Sequence, residues 1–401
     1  ITSIEEMFAN CTNLENIELH GEFSGNIKNA FFNCTSLERI NIDRVTTRLT
    51  DLSSLFSGCT NIKTASLNGS DDADLVLKGD FSGVTTMANM FNGCTSLEKV
   101  EIKGDFSALT NANSLFNGCS VLTSADIDFE KDALTNMVSM FKNCSAITSA
   151  TIGDGDDANV TIKGDFSKVT TLQDLFNGCS NLEDVEIKDD FPLLTNIGSL
   201  FTNCGTLKSA KLDGIFSSLT SLASLFNGKK NLTDATIKGD FSALTNVNSL
   251  FNGCSALTSA DIDFEKDALT NMASMFKNCS AITSATIGDG GDGDDADVTV
   301  KGDFSKVTTL QETFNGCSAL EDVEINGDFS KLTNISSVLN GNTALKTAEL
   351  DGTFSSITSL AQLFNGKKNI KTATINGSFN ELTTMQEMFK RIYDFLDIIK
   401  E

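Results

Sequence analysis

Apolar and polar residues follow one pattern that returns along the whole chain. In the copy from Phe91 to Leu115, apolar side chains stand at the start, in an alternating segment around Val100 and Ile102, and again at Phe106. The residue that anchors each copy is phenylalanine in fourteen places and leucine in one, mostly 25 residues apart: Phe8, Phe31, Phe56, Phe91, Phe116, Phe141, Phe176, Phe201, Phe226, Phe251, Phe276, Phe314, Leu339, Phe364 and Phe389. A repeat of this length is typical of a solenoid, in which each copy completes its core by stacking on its neighbours.

Each copy is predicted to contain one short strand and one short helix. The segment Lys99–Lys103 alternates between polar and apolar residues, so Val100 and Ile102 face a core and the charged residues face water. A turn follows. Thr110 is a suitable N-cap, because its hydroxyl can accept a bond from a free helical N–H group, and residues 111–117 then form one or two helical turns.

The end of the predicted helix has a strong local signal. In fourteen copies the residue two places after the anchor is Gly or Asn: Asn10, Asn33, Gly58, Gly93, Gly118, Asn143, Gly178, Asn203, Gly228, Gly253, Asn278, Gly316, Gly341 and Gly366. These two residue types best tolerate the left-handed conformation that closes a helix. The sequence therefore predicts an α/β solenoid of about 15 turns, with parallel strands on one face and short helices on the other.

The repeat resembles a known family. The pattern SLFxxCxxLxxVxIxxxFSxLTxx is similar to the leucine-rich repeats of BspA-like surface proteins, and the segment Thr86–Cys94 (TMANMFNGC) resembles the related Met-Phe-rich repeats of bacterial lipoprotein-type surface proteins. Those repeats usually carry proline after the strand, whereas Gly-Asp stands there in this chain. The resemblance implies a leucine-rich repeat fold and an adhesin or another module that contacts a host or matrix.

Three copies are longer than the others. Their extra residues follow the strand and read as strand, acidic Gly/Asp turn and strand, which predicts β-hairpin insertions near residues 68–77, 153–162 and 288–300. The domain organisation expected is a solenoid over residues 1–390, followed by a C-terminal capping helix extension over residues 391–401. The chain opens in the middle of a repeat, which indicates a segment of a longer product.

Composition narrows the function. The net charge is −24, which disfavours nucleic acid as a partner because nucleic-acid binding needs a basic footprint. There is no long apolar run for membrane insertion. One histidine and the absence of a recurrent nucleophile–base pair predict that the chain is not an enzyme.

Eleven cysteines occupy a single slot, three residues after the anchor: Cys11, Cys34, Cys59, Cys94, Cys119, Cys144, Cys179, Cys204, Cys254, Cys279 and Cys317. One cysteine per turn at a fixed phase predicts a column of small, buried, free thiols, which we call the thiol column. Disulfides are disfavoured because the Cβ vectors would be parallel, and a zinc site is disfavoured because no paired spacing exists.

The acidic insertions are the candidate metal sites. They carry Asp154, Asp156 and Asp157 in one copy, and Asp289, Asp292, Asp294, Asp295 and Asp297 in another. Calcium prefers several carboxylate and carbonyl oxygens on a flexible loop, but no complete EF-hand pattern is present. These residues are therefore either solvated turns or a weak calcium site, and no other cofactor is expected.

The exposed strand face is the candidate binding surface. It carries Lys99, Glu101, Lys103, Asp184, Glu186, Lys188, Asp234, Lys238, Asp322 and Glu324. The expected function is a non-enzymatic surface or secreted protein that mediates protein–protein interaction or adhesion, with a protein or a surface polymer as partner. The alternative is a structural protein that assembles with itself into an extracellular filament or layer.

Overall fold

A computed structural model gives the architecture. It describes residues 3–22, 25–46, 49–69, 72–129, 133–153, 158, 160–264, 268–287 and 298–390. The chain divides into two compact units, unit 1 over Ile1–Leu207 and unit 2 over Lys208–Glu401. The predicted capping helix at residues 391–401 lies outside the described residues.

Unit 1 is built on a parallel sheet. Its strands are β1 (Asn16–Leu19), β2 (Arg39–Val45), β3 (Thr64–Leu67), β4 (Leu75–Gly79), β5 (Lys99–Gly104), β6 (Ser124–Phe129), β7 (Ser149–Gly153), β8 (Val160–Lys163) and β9 (Asp184–Lys188). Equivalent residues of successive copies pair in register, as Ile102 does with Ile127. The inward positions of neighbouring copies therefore form continuous apolar columns.

Unit 2 has the same construction. Its strands are β10 (Ser209–Ile215), β11 (Asp234–Asp240), β12 (Ser259–Phe264), β13 (Ser284–Ile287), β14 (Val298–Gly302), β15 (Asp322–Asp328), β16 (Thr347–Thr353) and β17 (Thr372–Ser378). All of its strand pairs are parallel. The repeated parallel strands confirm the predicted solenoid within each unit.

The long copies do not form hairpins. In the first, β4 pairs in parallel with β3 and also with β2, so the extra strand lies inside the sheet between them. Strands β8 and β14 take the same place in the other two long copies. Seven residues join β3 to β4, and they can span about 23 Å. That is enough to return past a four-residue strand, which is about 13 Å long.

The reason for this insertion is burial. Leu75 and Leu77 of β4 alternate in phase with Ala65 and Leu67 of β3, and all four side chains are buried. A parallel strand in register places these leucines in the same core columns as the regular copies. The prediction of a second strand was right, and the prediction of a projecting antiparallel pair was wrong.

The predicted short helices are also wrong, because the described residues contain no helix. A series of turns occupies residues 113–118 instead. Ser114 and Phe116 donate their N–H groups sideways to Val138 and Met140 of the next copy, at 2.9 and 2.8 Å, and only the intervening amides bond within the turn. Ser114 has φ of 53°, a left-handed conformation that interrupts any helix.

The hydroxyl of Thr110 does not cap a helix either. It donates to the carbonyl oxygen of Thr85 in the preceding copy, at 3.1 Å. The Gly and Asn positions were predicted correctly. All fourteen have positive φ, between 57° and 83°. The left-handed residue therefore closes a turn rather than a helix.

The core of each unit consists of stacked columns. Phe116 stacks on Phe91 and Phe141, with ring centroids 5.5 and 5.3 Å away. The thiol column is confirmed: all eleven cysteines are free, and all except Cys11 are buried. The Cys119 thiol donates to the carbonyl oxygen of Phe91 at 3.1 Å. Burial raises its pKa well above the ordinary value.

Candidate functional site

The outer face of the sheet in unit 1 carries charged side chains in columns. On β5, Val100 and Ile102 are buried while Lys99, Glu101 and Lys103 point away from the core. Strand alternation produces this separation, because successive side chains point to opposite faces. The predicted placement of the three charged residues is therefore correct.

Ion pairs connect neighbouring copies on this face. The Lys103 ammonium lies 2.7 Å from the Glu101 carboxylate and 3.1 Å from the Asp126 carboxylate on β6. Hydrogen bonds to Glu101 and then to Asp126 raise the pKa of Lys103. On β9, Asp184 and Lys188 are exposed and Glu186 is half-buried between them.

In unit 2 the outer face has two different charge patterns. Lys238 on β11 forms an ion pair with Asp261 on β12, while Asp234 is exposed at the start of β11. The second pattern lies on β15 and β16, where Glu324 is in register with Glu349. Like charges therefore meet there.

The carboxylates of β15 and β16 form a small cluster, which we call the acidic patch: Asp322, Glu324, Glu349 and Asp351. The pKa of Glu349 is raised, first by burial and then by the negative charges of Glu324 and Asp351. Asn326 donates a hydrogen bond to Glu324. No ion pair with a lysine or arginine is found for these four carboxylates among the described residues.

The first insertion creates a groove on the outer face of unit 1. Asp72 and Ala73, in the segment between β3 and β4, line it together with Ser66, Lys99 and Glu101. Its volume is about 460 Å³. Ser66 points outward but is only 1% exposed, and its hydroxyl has no hydrogen-bond partner within the described part of the chain.

A second groove lies in the equivalent place of unit 2. It has a volume of about 250 Å³ and is bordered by Thr286 and by the acidic patch residues Asp322, Glu324 and Glu349. Thr286 is 6% exposed, as is Thr151 in the second long copy. Both grooves therefore lie where a long copy meets the two regular copies that follow it.

Sequence reasoning missed these grooves, although a signal exists. The central outward residue is small and uncharged in the three long copies, at Ser66, Thr151 and Thr286, whereas most regular copies carry a charged residue there. Ser66 and Thr286 line the two grooves, although Thr236 and Thr374 occupy the same position in regular copies.

The candidate calcium ligands cannot be placed. Asp154, Asp156, Asp157, Asp289, Asp292, Asp294, Asp295 and Asp297 all lie outside the described residues. In the first insertion, the Asp74 carboxylate accepts hydrogen bonds from the amides of Lys63 and Thr64, at 3.2 and 3.3 Å. Within the described ranges there is no group of three or more potential metal ligands. Nor is any helix there long and apolar enough to cross a bilayer.

The fold and its surface define a class, a repeat protein with an open, charged strand face. The chain belongs to the family described as "Mycoplasma protein of unknown function, DUF285", whose model matches residues 25–154, 195–288 and 295–401. No curated protein matches the sequence.

The chain is also similar to solved leucine-rich repeat structures. One, from Bacteroides ovatus, is 19% identical with a TM-score of 0.39, covering 94% of this chain and 78% of that protein. A leucine-rich cell surface protein from Faecalibacterium prausnitzii is 15% identical with a TM-score of 0.28, covering 91% and 83%. A leucine-rich repeat protein from Leptospira interrogans is 13% identical with a TM-score of 0.29, covering 86% of each chain.

Proposed function

We propose that this chain is a non-enzymatic binding protein of the cell surface or the secreted fraction, and that it adheres to a protein partner through the outer face of its sheet. The observation that carries the proposal is the charged outer face with its two grooves. A solenoid needs only its inner columns to fold, so its outer positions can be used for recognition.

The acidic patch specifies the chemistry of the partner. Four carboxylates lie on two adjacent strands beside a groove, and Glu324 and Glu349 already repel each other enough to contribute to the raised pKa of Glu349. A basic side chain in the groove would relieve this repulsion and restore charge balance. A protein with an exposed lysine or arginine patch is therefore the proposed partner.

The buried thiols and the lone histidine support a role without catalysis. A cysteine nucleophile must be accessible and ionised, whereas the buried members of the thiol column are held protonated. His20 is exposed, and its Nε2 lies 3.5 Å from the carboxylate of Glu18, which is also exposed. His20 and Glu18 are therefore solvated, unlike a catalytic acid or base whose pKa is tuned by a desolvated pocket.

The proposal is tested by surface plasmon resonance of the purified chain on a panel of immobilised extracellular-matrix proteins. We expect saturable binding to at least one basic protein, weaker at high salt because salt screens exposed charges. Glu324→Lys should weaken this binding about tenfold, since like charges would then face each other. Glu381→Lys changes the net charge equally but lies in an exposed turn outside the sheet, so it should leave binding unchanged.

Two results would contradict the proposal: no saturable binding to any basic protein, or an equal effect of the two substitutions. Light scattering on the same samples addresses self-assembly. Growth of the chain into polymers would favour the structural alternative over adhesion to another protein.

A further inference from the structure

The lateral hydrogen bonds between turns are interrupted at one place in unit 2. The turn at residues 310–316 donates four amides to the next turn, from Leu310, Glu312, Phe314 and Gly316 to the carbonyl oxygens of Asn334, Ser336, Val338 and Asn340, at 2.8 to 3.1 Å. The turn at residues 360–366 makes the same four bonds to its successor, at 2.9 to 3.0 Å. Within the described residues, the turn that lies between them, at residues 335–341, makes none of the corresponding bonds to the turn at residues 360–366.

The missing bonds leave two facing walls. The donor wall consists of the amides of Ile335, Ser337, Leu339 and Gly341, and the acceptor wall of the carbonyl groups of Ser359, Ala361, Leu363 and Asn365. Among the described residues these amides find no acceptor and these carbonyls no donor. The strands next to the opening, β15, β16 and β17, pair over their full length, so the separation is confined to the turn side.

Spacing at the glycine positions supports this opening independently. A Cβ built on Gly341 would lie 3.2 Å from Gly316 of the preceding turn, which is the usual close stacking. A Cβ built on Gly366 would meet nothing within 4 Å. The space between the walls is a cleft of about 510 Å³, a size that accommodates small ligands.

The two copies that form the cleft carry unusual residues in their core columns. Leu339 replaces the anchor phenylalanine, and the thiol column is occupied by Asn342 and Lys367 in these two copies. Asn342 is fully buried, and neither its amide nitrogen nor its oxygen has a partner in the described part of the chain. Buried polar groups are normally satisfied, so the core beside the cleft is imperfectly packed at this residue, which does not itself line the cleft.

Lys367 adds an uncompensated charge. It lines the cleft, is only 6% exposed, and forms no ion pair or side-chain hydrogen bond with the described residues. Burial lowers the pKa of its ammonium group. A buried cation is costly unless an anion accompanies it, because it loses its hydration.

The donor wall is a row of N–H groups from every second residue of the turn. In the other turns of unit 2 that another described copy follows, the equivalent amides each donate to a carbonyl oxygen of that next copy. Backbone N–H groups without such a partner form stronger hydrogen bonds to a negatively charged acceptor than to a neutral one. Ser337 and Asn340 line the cleft and are exposed, so the cleft is open to solvent.

We propose that this cleft binds a small anionic group, a phosphate or a carboxylate, held by the donor-wall amides and the Lys367 ammonium. The bound anion supplies the counter-charge that Lys367 lacks. It also supplies hydrogen-bond acceptors for the donor-wall amides, whose equivalents in the neighbouring turns are already bonded. The site is on the turn side of unit 2, separate from the acidic patch, and does not depend on the proposed adhesive function.

The test is an NMR titration of the amide signals with inorganic phosphate and, separately, with acetate at constant ionic strength. We expect saturable shifts at Ile335, Ser337, Leu339 and Gly341. The bonded equivalents Leu310, Glu312, Phe314 and Gly316 should not shift. Saturation by phosphate alone identifies a phosphate site, and saturation by acetate identifies a carboxylate site.

Two lysine variants give the matched comparison. Lys367→Met should lower the affinity for the anion about tenfold, since a charge-assisted hydrogen bond is lost. Lys368→Met removes an exposed charge next to it and should not change the affinity. Leu339→Phe restores the anchor residue and should close the cleft, abolishing the shifts even if Lys367→Met does not fold.

The proposal is overturned if neither anion shifts the donor-wall amides saturably, or if Lys367→Met binds as tightly as the unmodified chain.

Discussion

The thiol column should make this protein sensitive to alkaline pH. Burial raises the pKa of Cys254 and Cys317 to about 12 and that of Cys59, Cys94, Cys119, Cys144, Cys179 and Cys279 above the ordinary range. In the unfolded chain the same thiols ionise near pH 8.5. The stabilisation from keeping each thiol protonated is therefore fully present below about pH 8.5 and is lost as the pH rises toward the folded pKa.

The magnitude is large because the column is repeated. At pH 9.5, one unit above the unfolded pKa, each thiol that stays protonated in the fold destabilises it by about 1.4 kcal/mol. The five such thiols Cys59, Cys94, Cys119, Cys144 and Cys179 of unit 1 together cost about 7 kcal/mol by this reasoning. That is comparable with the whole stability of a typical domain.

The assay is urea denaturation followed by circular dichroism, under reducing conditions, at pH 7.5, 8.5 and 9.5. We expect the midpoint to fall modestly between the first two values, because half-ionisation of the unfolded thiols at pH 8.5 costs about 0.4 kcal/mol each, and to fall steeply at the third. Cys119→Ala is the matched variant, and it should remove about 1.4 kcal/mol of the pH effect. A midpoint that is the same at pH 9.5 as at 7.5, or an unchanged pH dependence in Cys119→Ala, would refute the buried protonated column.

Three further predictions follow from the core. Phe116→Ala should destabilise the protein by about 3–5 kcal/mol, because it leaves a cavity at a fully buried position of the phenylalanine column. Val121→Ala, at a position that is 40% exposed, should cost less than about 1 kcal/mol, and chemical denaturation measures both. Gly352→Ala should lower the melting temperature, since its Cβ would lie 2.0 Å from the carbonyl oxygen of Gly327 at φ of 143°, and Gly205→Ala, whose Cβ would meet nothing within 4 Å, is the control. A thiol-reactive dye should modify one cysteine of the native chain, the exposed Cys11, and all eleven after denaturation; modification of most of them in the native state would contradict the column.

Local patterns predicted much of the solenoid. Alternation at Val100 and Ile102 predicted both the strand and its buried face, since period-two burial admits one arrangement on a sheet. The Gly or Asn at position 118 and its equivalents predicted a left-handed residue, because few other side chains tolerate that conformation. The cysteine position predicted a buried column, because residues at the same position of successive repeats have the same surroundings in a solenoid.

The sequence predicted which face of the sheet carries the candidate site, but it did not predict the grooves on that face. Lys99, Glu101 and Lys103 lie on the outer face as expected, yet the groove beside them depends on the segment that carries Asp72 and Ala73. The pairing of β4 between β2 and β3 could not be deduced from spacing, because the same apolar alternation suits an antiparallel hairpin and an inserted parallel strand.

The sequence by itself determined the repeat, the inward and outward positions of each strand, the left-handed turn residues and the free thiols. These features depend on residue types and on their phase along the chain. The tertiary structure alone decided that the turns are not helical, because the amides of Ser114 and Phe116 bond to the next copy rather than to their own. It also decided where those bonds are missing, at the cleft beside Lys367, because a lateral bond exists only when two neighbouring copies stack closely.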